Sequence, residues 1–103
     1  MPVILNTSSL STFHRTQSLS IVRKLFPQDR LLAPKAVIVE FTDRFAFPSF
    51  IEEATLGPVQ QAEADQLSGL TVGEREAIVL AQFTKGLLIM DDLTGRKKAK
   101  RMG

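Results

Sequence analysis

The chain has 103 residues, 44% of them apolar and 23% charged, and a net charge of +2; that is enough for one hydrophobic core and too apolar for a disordered chain. The lack of cysteine excludes disulfides and thiolate chemistry and fits a reducing, cytoplasmic setting. The longest apolar runs, Ala77–Ala81 and Leu87–Met90, fall far short of the ~20 residues of a membrane helix, and no basic segment opens a signal peptide.

In chain order, Val3–Leu5 reads as a short buried strand, halted by Asn6-Thr7-Ser8-Ser9, which are good helix caps and poor strand continuers. A helix is expected from Ser9, and a second over Gln17–Phe26, where Leu19, Val22 and Phe26 share a face before Pro27. Leu31–Ala33 reads as a strand. Pro34 then stands at a favoured first helical position. Val37-Ile38-Val39 favours strand by propensity, while Pro34 and the Val37/Phe41 spacing favour helix. Phe45 to Ala64 shows the least regular pattern, with a turn at Gly57-Pro58.

The last third is clearer. Thr71-Val72-Gly73-Glu74 has the capping-box pattern, so a buried helix is expected to about Lys85, stopped by Gly86. Leu87–Met90 reads as a buried strand ended by Asp91-Asp92, with a basic helix over about Leu93–Met102. Strands apolar on both faces, alternating with helices, predict a single α/β domain over residues 1–103 built on a parallel sheet.

Ligands of such sheets bind beyond the carboxyl ends of the strands. Asn6 follows the first strand there, Asp91 and Asp92 follow Leu87–Met90, and Glu74 and Glu76 open the helix before it. Oxygen donors without histidine or cysteine suit Mg²⁺ or Mn²⁺. The structural alternatives are that Glu74 completes a capping box, Glu76 is a solvated first-turn acid, and Asp91 or Asp92 caps the last helix. His14, the only histidine, has no nucleophile beside it and reads as a polar surface residue. No phosphate-binding glycine motif occurs. Phe41, Phe45, Phe47 and Phe50 are expected in core packing or a dimer contact rather than base stacking. Arg96, Lys97, Lys98, Lys100 and Arg101 place five cations in six residues, either to bind RNA phosphates or to solvate a helix end.

VILNTSSL (Val3–Leu10) and APKAVIVEF (Ala33–Phe41) resemble PIN-like domains, and LTVGEREAIVLA (Leu70–Ala81) and LLIMDDLTGRKKAKRMG (Leu87–Gly103) resemble their toxin branch of bacteria and archaea. The resemblance favours helix over Val37–Val39 and implies a Rossmann-like fold, shortened at its C-terminal edge. It also implies a metal-dependent ribonuclease of the kind that serves as the toxin of a toxin–antitoxin pair, acting as a homodimer on RNA and held in check by an antitoxin protein. By the same resemblance Asn6, Glu40, Glu76 and Asp91 would be catalytic. Asn6, Glu40, Glu74, Glu76, Asp91 and Asp92 would hold Mg²⁺ or Mn²⁺, with Ser8 supporting the first ligand by a hydrogen bond. Asn6 stands where the family has aspartate, which leaves a weak or inactive domain that binds nucleic acid or protein as the alternative.

Overall fold

The run Val3–Leu5 forms the first strand, β1, of the computed structural model, which describes residues 1–89. The chain continues through α1 (Thr7–Arg15), α2 (Leu19–Leu25), β2 (Leu31–Pro34), α3 (Lys35–Thr42), β3 (Glu52–Ala54), α4 (Pro58–Asp65), α5 (Val72–Thr84) and β4 (Leu87–Ile89). The four strands make one parallel sheet in the order β3-β2-β1-β4. The α/β class expected from the alternating pattern is therefore the observed one. The expected helix over Leu93–Met102, the basic run Arg96–Arg101, Asp91, Asp92 and Met90 lie outside the described residues.

Strand alternation divides the core between the two faces of the sheet. Val3, Leu5, Leu31 and Ala33 pack on one face with Leu10, Val22, Val37 and Phe41, while Ile4 and Leu32 pack on the other with Ala77 and Leu80. Burial on both faces is why these strands read as unbroken apolar runs. Each buried leucine, isoleucine or phenylalanine contributes roughly 1.5–3 kcal/mol relative to exposure.

Several boundaries differ from those expected. The first helix starts at Thr7 rather than Ser9, because Asn6 takes the capping position. The contested segment is helical, so packing of Val37 and Phe41 into the core outweighs the β-branched propensity. The stretch from Phe45 to Ala64 holds two elements that its irregular pattern concealed. Strand β3 lies at the sheet edge, where Glu52 and Glu53 are exposed, so it carries no apolar signal. It is tied instead to the residue before β2 by the Arg30–Glu52 pair at 3.1–3.2 Å. Gly57-Pro58 is a helix start rather than a free turn. Gly57 caps α4, its N–H donates to Gln60 Oε1 at 2.9 Å, and Pro58 takes the first helical position.

Helix α5 ends through Lys85, which takes the left-handed conformation (φ 55°) expected of Gly86. The Gly86 N–H closes the turn onto Ala81 O at 2.9 Å. Gly86 is needed for close approach instead: a Cβ there would lie 2.6 Å from both Ile4 Cδ1 and the Pro2 carbonyl oxygen. Since backbone cannot move aside cheaply, Gly86→Ala should destabilise by ~1–3 kcal/mol, measurable as a lower urea midpoint with unchanged slope.

Candidate functional site

The strand order sets where a site can form. The chain steps outward from β1 to β2 to β3, then crosses back to place β4 on the other side of β1. The crevice of an open α/β sheet opens at such a switch point, beyond the carboxyl ends of the two strands. Asn6 stands there, directly after β1.

The Asn6 side chain is fully buried (0% exposed) and its carbonyl is committed to the cap of α1. Oδ1 accepts from Ser9 N–H at 2.9 Å and from the Ser8 hydroxyl at 3.1 Å, while Ser9 Oγ accepts from Asn6 N–H at 3.1 Å. A backbone N–H requires an acceptor, so these bonds fix which end of the amide is oxygen. Among the described residues, the other end, Nδ2, is buried with no hydrogen-bond partner. Such an orphaned group costs ~1–3 kcal/mol. At the end of β1 the protein therefore presents a donor, not an acceptor.

Glu40, on α3, reaches the same rim. Its Oε2 accepts from Thr7 Oγ1 and its Oε1 from Gly73 N–H, both at 3.1 Å. Gly73 lies in the first turn of α5, so the carboxylate also satisfies an orphan donor of that helix. Glu76 returns the favour across the same pair of helices. Its Oε1 accepts from Ala36 N–H at 3.4 Å, in the first turn of α3, whose cap residue Pro34 has no side-chain acceptor. The expectation of a solvated first-turn acid at Glu76 is thus replaced by a helix cap supplied by a neighbouring helix. Glu74 N–H donates to Thr71 Oγ1 at 3.2 Å, and the Thr71 hydroxyl donates to Glu74 Oε1 at 3.0 Å.

The structure brings Asn6, Ser8 and Glu40 to one rim, with Thr7 linking them. Glu76 sits at the start of α3, and Glu74 serves the start of α5. Asp91, Asp92, Arg96, Lys97, Lys98, Lys100 and Arg101 lie outside the described residues. Among the described residues, no three His, Cys, Asp or Glu side chains form a group able to hold a metal ion.

Gly73 explains how Glu40 comes so close. A Cβ at Gly73 would fall 2.6 Å from Glu40 Oε1 and 3.2 Å from Val37 Cγ2. Gly73→Ala should displace the Glu40 carboxylate, yet the gain in helix propensity of ~1 kcal/mol offsets the lost bond of ~1.5–3 kcal/mol to a charged group. A stability change within about 2 kcal/mol is expected, with shifted amide resonances at Thr7 as the sign that Glu40 has moved.

A cleft of about 210 Å³ opens beside Glu40, lined by Thr7, Ser11, Glu40, Phe41, Arg44 and Phe45. Phe41 is core, 1% exposed, and Phe45, Phe47 and Phe50 pack against the core cluster that contains it, in line with the core packing expected of the phenylalanine-rich stretch. His14 departs from its expected role as a polar surface residue. Its ring stacks on Phe45 at 4.1 Å and meets the edge of Phe41 at 5.9 Å, because α1 turns it toward the end of α3. Ser11 and Arg44 were not marked by any motif. The Glu40/Arg44 spacing of four, with Arg44 two residues past the end of α3, was a local signal for the cleft.

No helix among the described residues is long and apolar enough to cross a membrane. No curated protein and no solved structure matches the chain. One family model does, over residues 2–103, and it is that of a PIN domain. With nearly the whole length matched and a parallel sheet whose switch point carries Asn6 and Glu40 at its rim, this chain belongs to the PIN domain family.

Proposed function

We propose that this PIN domain binds RNA without needing a divalent metal, its metal-dependent cleavage weakened at the first ligand position. The observation that carries the reading is Asn6, whose carbonyl is held in the α1 cap and whose buried amide N–H₂ has no acceptor among the described residues. A cation is attracted by lone pairs and repelled by an N–H₂ group, so the described donor set does not suit Mg²⁺ or Mn²⁺. Glu40 and Glu76 each satisfy a helix end, which gives them a structural role that needs no ion.

The cationic run Arg96, Lys97, Lys98, Lys100 and Arg101 supplies the attraction for a phosphate backbone. About three phosphate contacts would give a log–log salt slope near −2 on a single strand. Replacing Lys97, Lys98 and Arg101 with Gln should weaken binding similarly across sequences and flatten the slope by roughly 0.7 per contact. A filter-binding salt titration tests this; an unchanged slope in the triple variant would remove the RNA assignment.

The second reading is the active ribonuclease of a toxin–antitoxin pair, a homodimer using Mg²⁺ or Mn²⁺ with Asn6, Glu40, Glu76 and Asp91 at the reaction centre. It is favoured by the family and by the bond from Thr7, the residue after Asn6, to Glu40 at the same rim. Metal-dependent RNA cleavage by the unaltered chain would select it.

A further inference from the structure

We infer that Glu40 and Glu76 form one latch, two carboxylates that each cap the other's helix and so tie the wall of the cleft to the start of α5. The inference stands apart from RNA binding and needs no ligand. In both helices the same donor is served, the N–H of the second helical residue. Gly73 N–H of α5 donates to Glu40 Oε1 at 3.1 Å, and Ala36 N–H of α3 donates to Glu76 Oε1 at 3.4 Å. A donor at that position has no acceptor within its own helix. Pro34 gives α3 no side-chain cap, and at α5 the Thr71 hydroxyl accepts from Glu74 N–H instead. Each helix start therefore depends on a carboxylate that the other helix carries.

Electrostatics favour this arrangement over a local one. Glu40 lies in the last turn of α3, where a carboxylate meets the negative end of its own helix dipole, whereas the first turn of α5 offers a positive end. Arg44 lines the same cleft four residues on, yet among the described residues no ion pair joins it to Glu40. The carboxylate is seated on Gly73 and Thr7 instead. Gly73 makes that seat possible, since a Cβ there would lie 2.6 Å from Glu40 Oε1. Both caps bridge one interface, the packing of α3 on α5, so parting the helices at either carboxylate lengthens the bond of the other. Because Glu40 also lines the cleft, a group that draws its carboxylate away from Gly73 uncaps α5 and loosens Ala36 as well.

Amide hydrogen exchange on the full chain tests the latch by reading one cap while the opposite carboxylate is altered. Glu40→Ala should speed exchange at Ala36 by at least about twofold, the lower end of the coupling between groups in contact. Alanine is the better helix former, so an effect confined to α3 would leave Ala36 as protected as before. Glu76→Ala should shift the amide resonance of Thr7, whose hydroxyl bonds to Glu40. Glu76→Gln keeps an acceptor oxygen and should leave Thr7 and Ala36 unchanged. In urea titrations, the fold-loss in the folding equilibrium constant of the double alanine variant should fall short of the product of the two single losses, again by about twofold or more. Gly73→Ala displaces Glu40 without removing a carboxylate and should also speed exchange at Ala36, which keeps the latch testable if an alanine variant folds poorly. Exchange at Ala36 that neither Glu40→Ala nor Gly73→Ala alters, or single losses that multiply independently, would overturn the latch.

Discussion

Asn6→Asp should lower the stability of the metal-free protein and raise that of the Mn²⁺-treated protein, a reversal of sign within one variant. Aspartate caps a helix as well as asparagine does, so its first oxygen can keep the bonds to Ser9 N–H and Ser8 Oγ now made by Asn6 Oδ1. Its second oxygen replaces Nδ2, which is buried with no partner among the described residues. An unsatisfied charged acceptor costs more than an unsatisfied amide, and the positive end of α1 offsets only ~0.3–1 kcal/mol of that. A net loss of about 1–2 kcal/mol is expected without metal. With Mn²⁺ at a hundredfold excess over its dissociation constant, stabilisation by ~2.7 kcal/mol should raise the melting temperature by roughly 10–20 °C. The unaltered chain should move by less than about 3 °C, under ~0.5 kcal/mol. Adding Asp91→Asn and Asp92→Asn to the Asn6→Asp protein should remove the Mn²⁺ response. Thermal melts of these three proteins with and without Mn²⁺ check the scheme.

Phe41→Ala should be the most damaging single truncation near the cleft. Phe41 is 1% exposed, belongs to the larger core cluster and has its ring against His14, Phe45 and Phe47 at 5.9, 5.3 and 6.2 Å. Removing such a ring leaves a cavity and typically costs ~3–5 kcal/mol, a large part of the ~5–15 kcal/mol that holds a domain together. A fall in melting temperature of about 12 °C or more is expected, with loss of any cleft ligand. Phe45→Ala should cost less, since Phe45 is only half-buried. A chemical-denaturation comparison of the two variants separates the ring that builds the cleft from the ring that lines it.

Those effects show what could and could not be seen in the sequence. Buried strands announced themselves: Val3–Leu5 and Leu31–Ala33 are apolar because both sheet faces are covered. The capped start of α5 was visible because Thr71 and Glu74 interact locally. Strand β3 was hidden because an edge strand needs hydrogen bonds rather than apolar side chains, and Glu52 and Glu53 give no periodic pattern. The cap relations of Glu40 and Glu76 were hidden for another reason. Each carboxylate serves a helix more than thirty residues away, and spacing along a chain cannot report that. The same holds for Asn6, where sequence shows an amide but only three dimensions show which end is spent on the cap.

The measurement that bears most directly on the proposal compares one labelled single-stranded RNA, incubated with the unaltered chain, in EDTA and in millimolar Mn²⁺. Equal affinity under both conditions, with the RNA intact, is the predicted result. Binding that requires Mn²⁺, accompanied by cleavage products that vanish in EDTA, would contradict it.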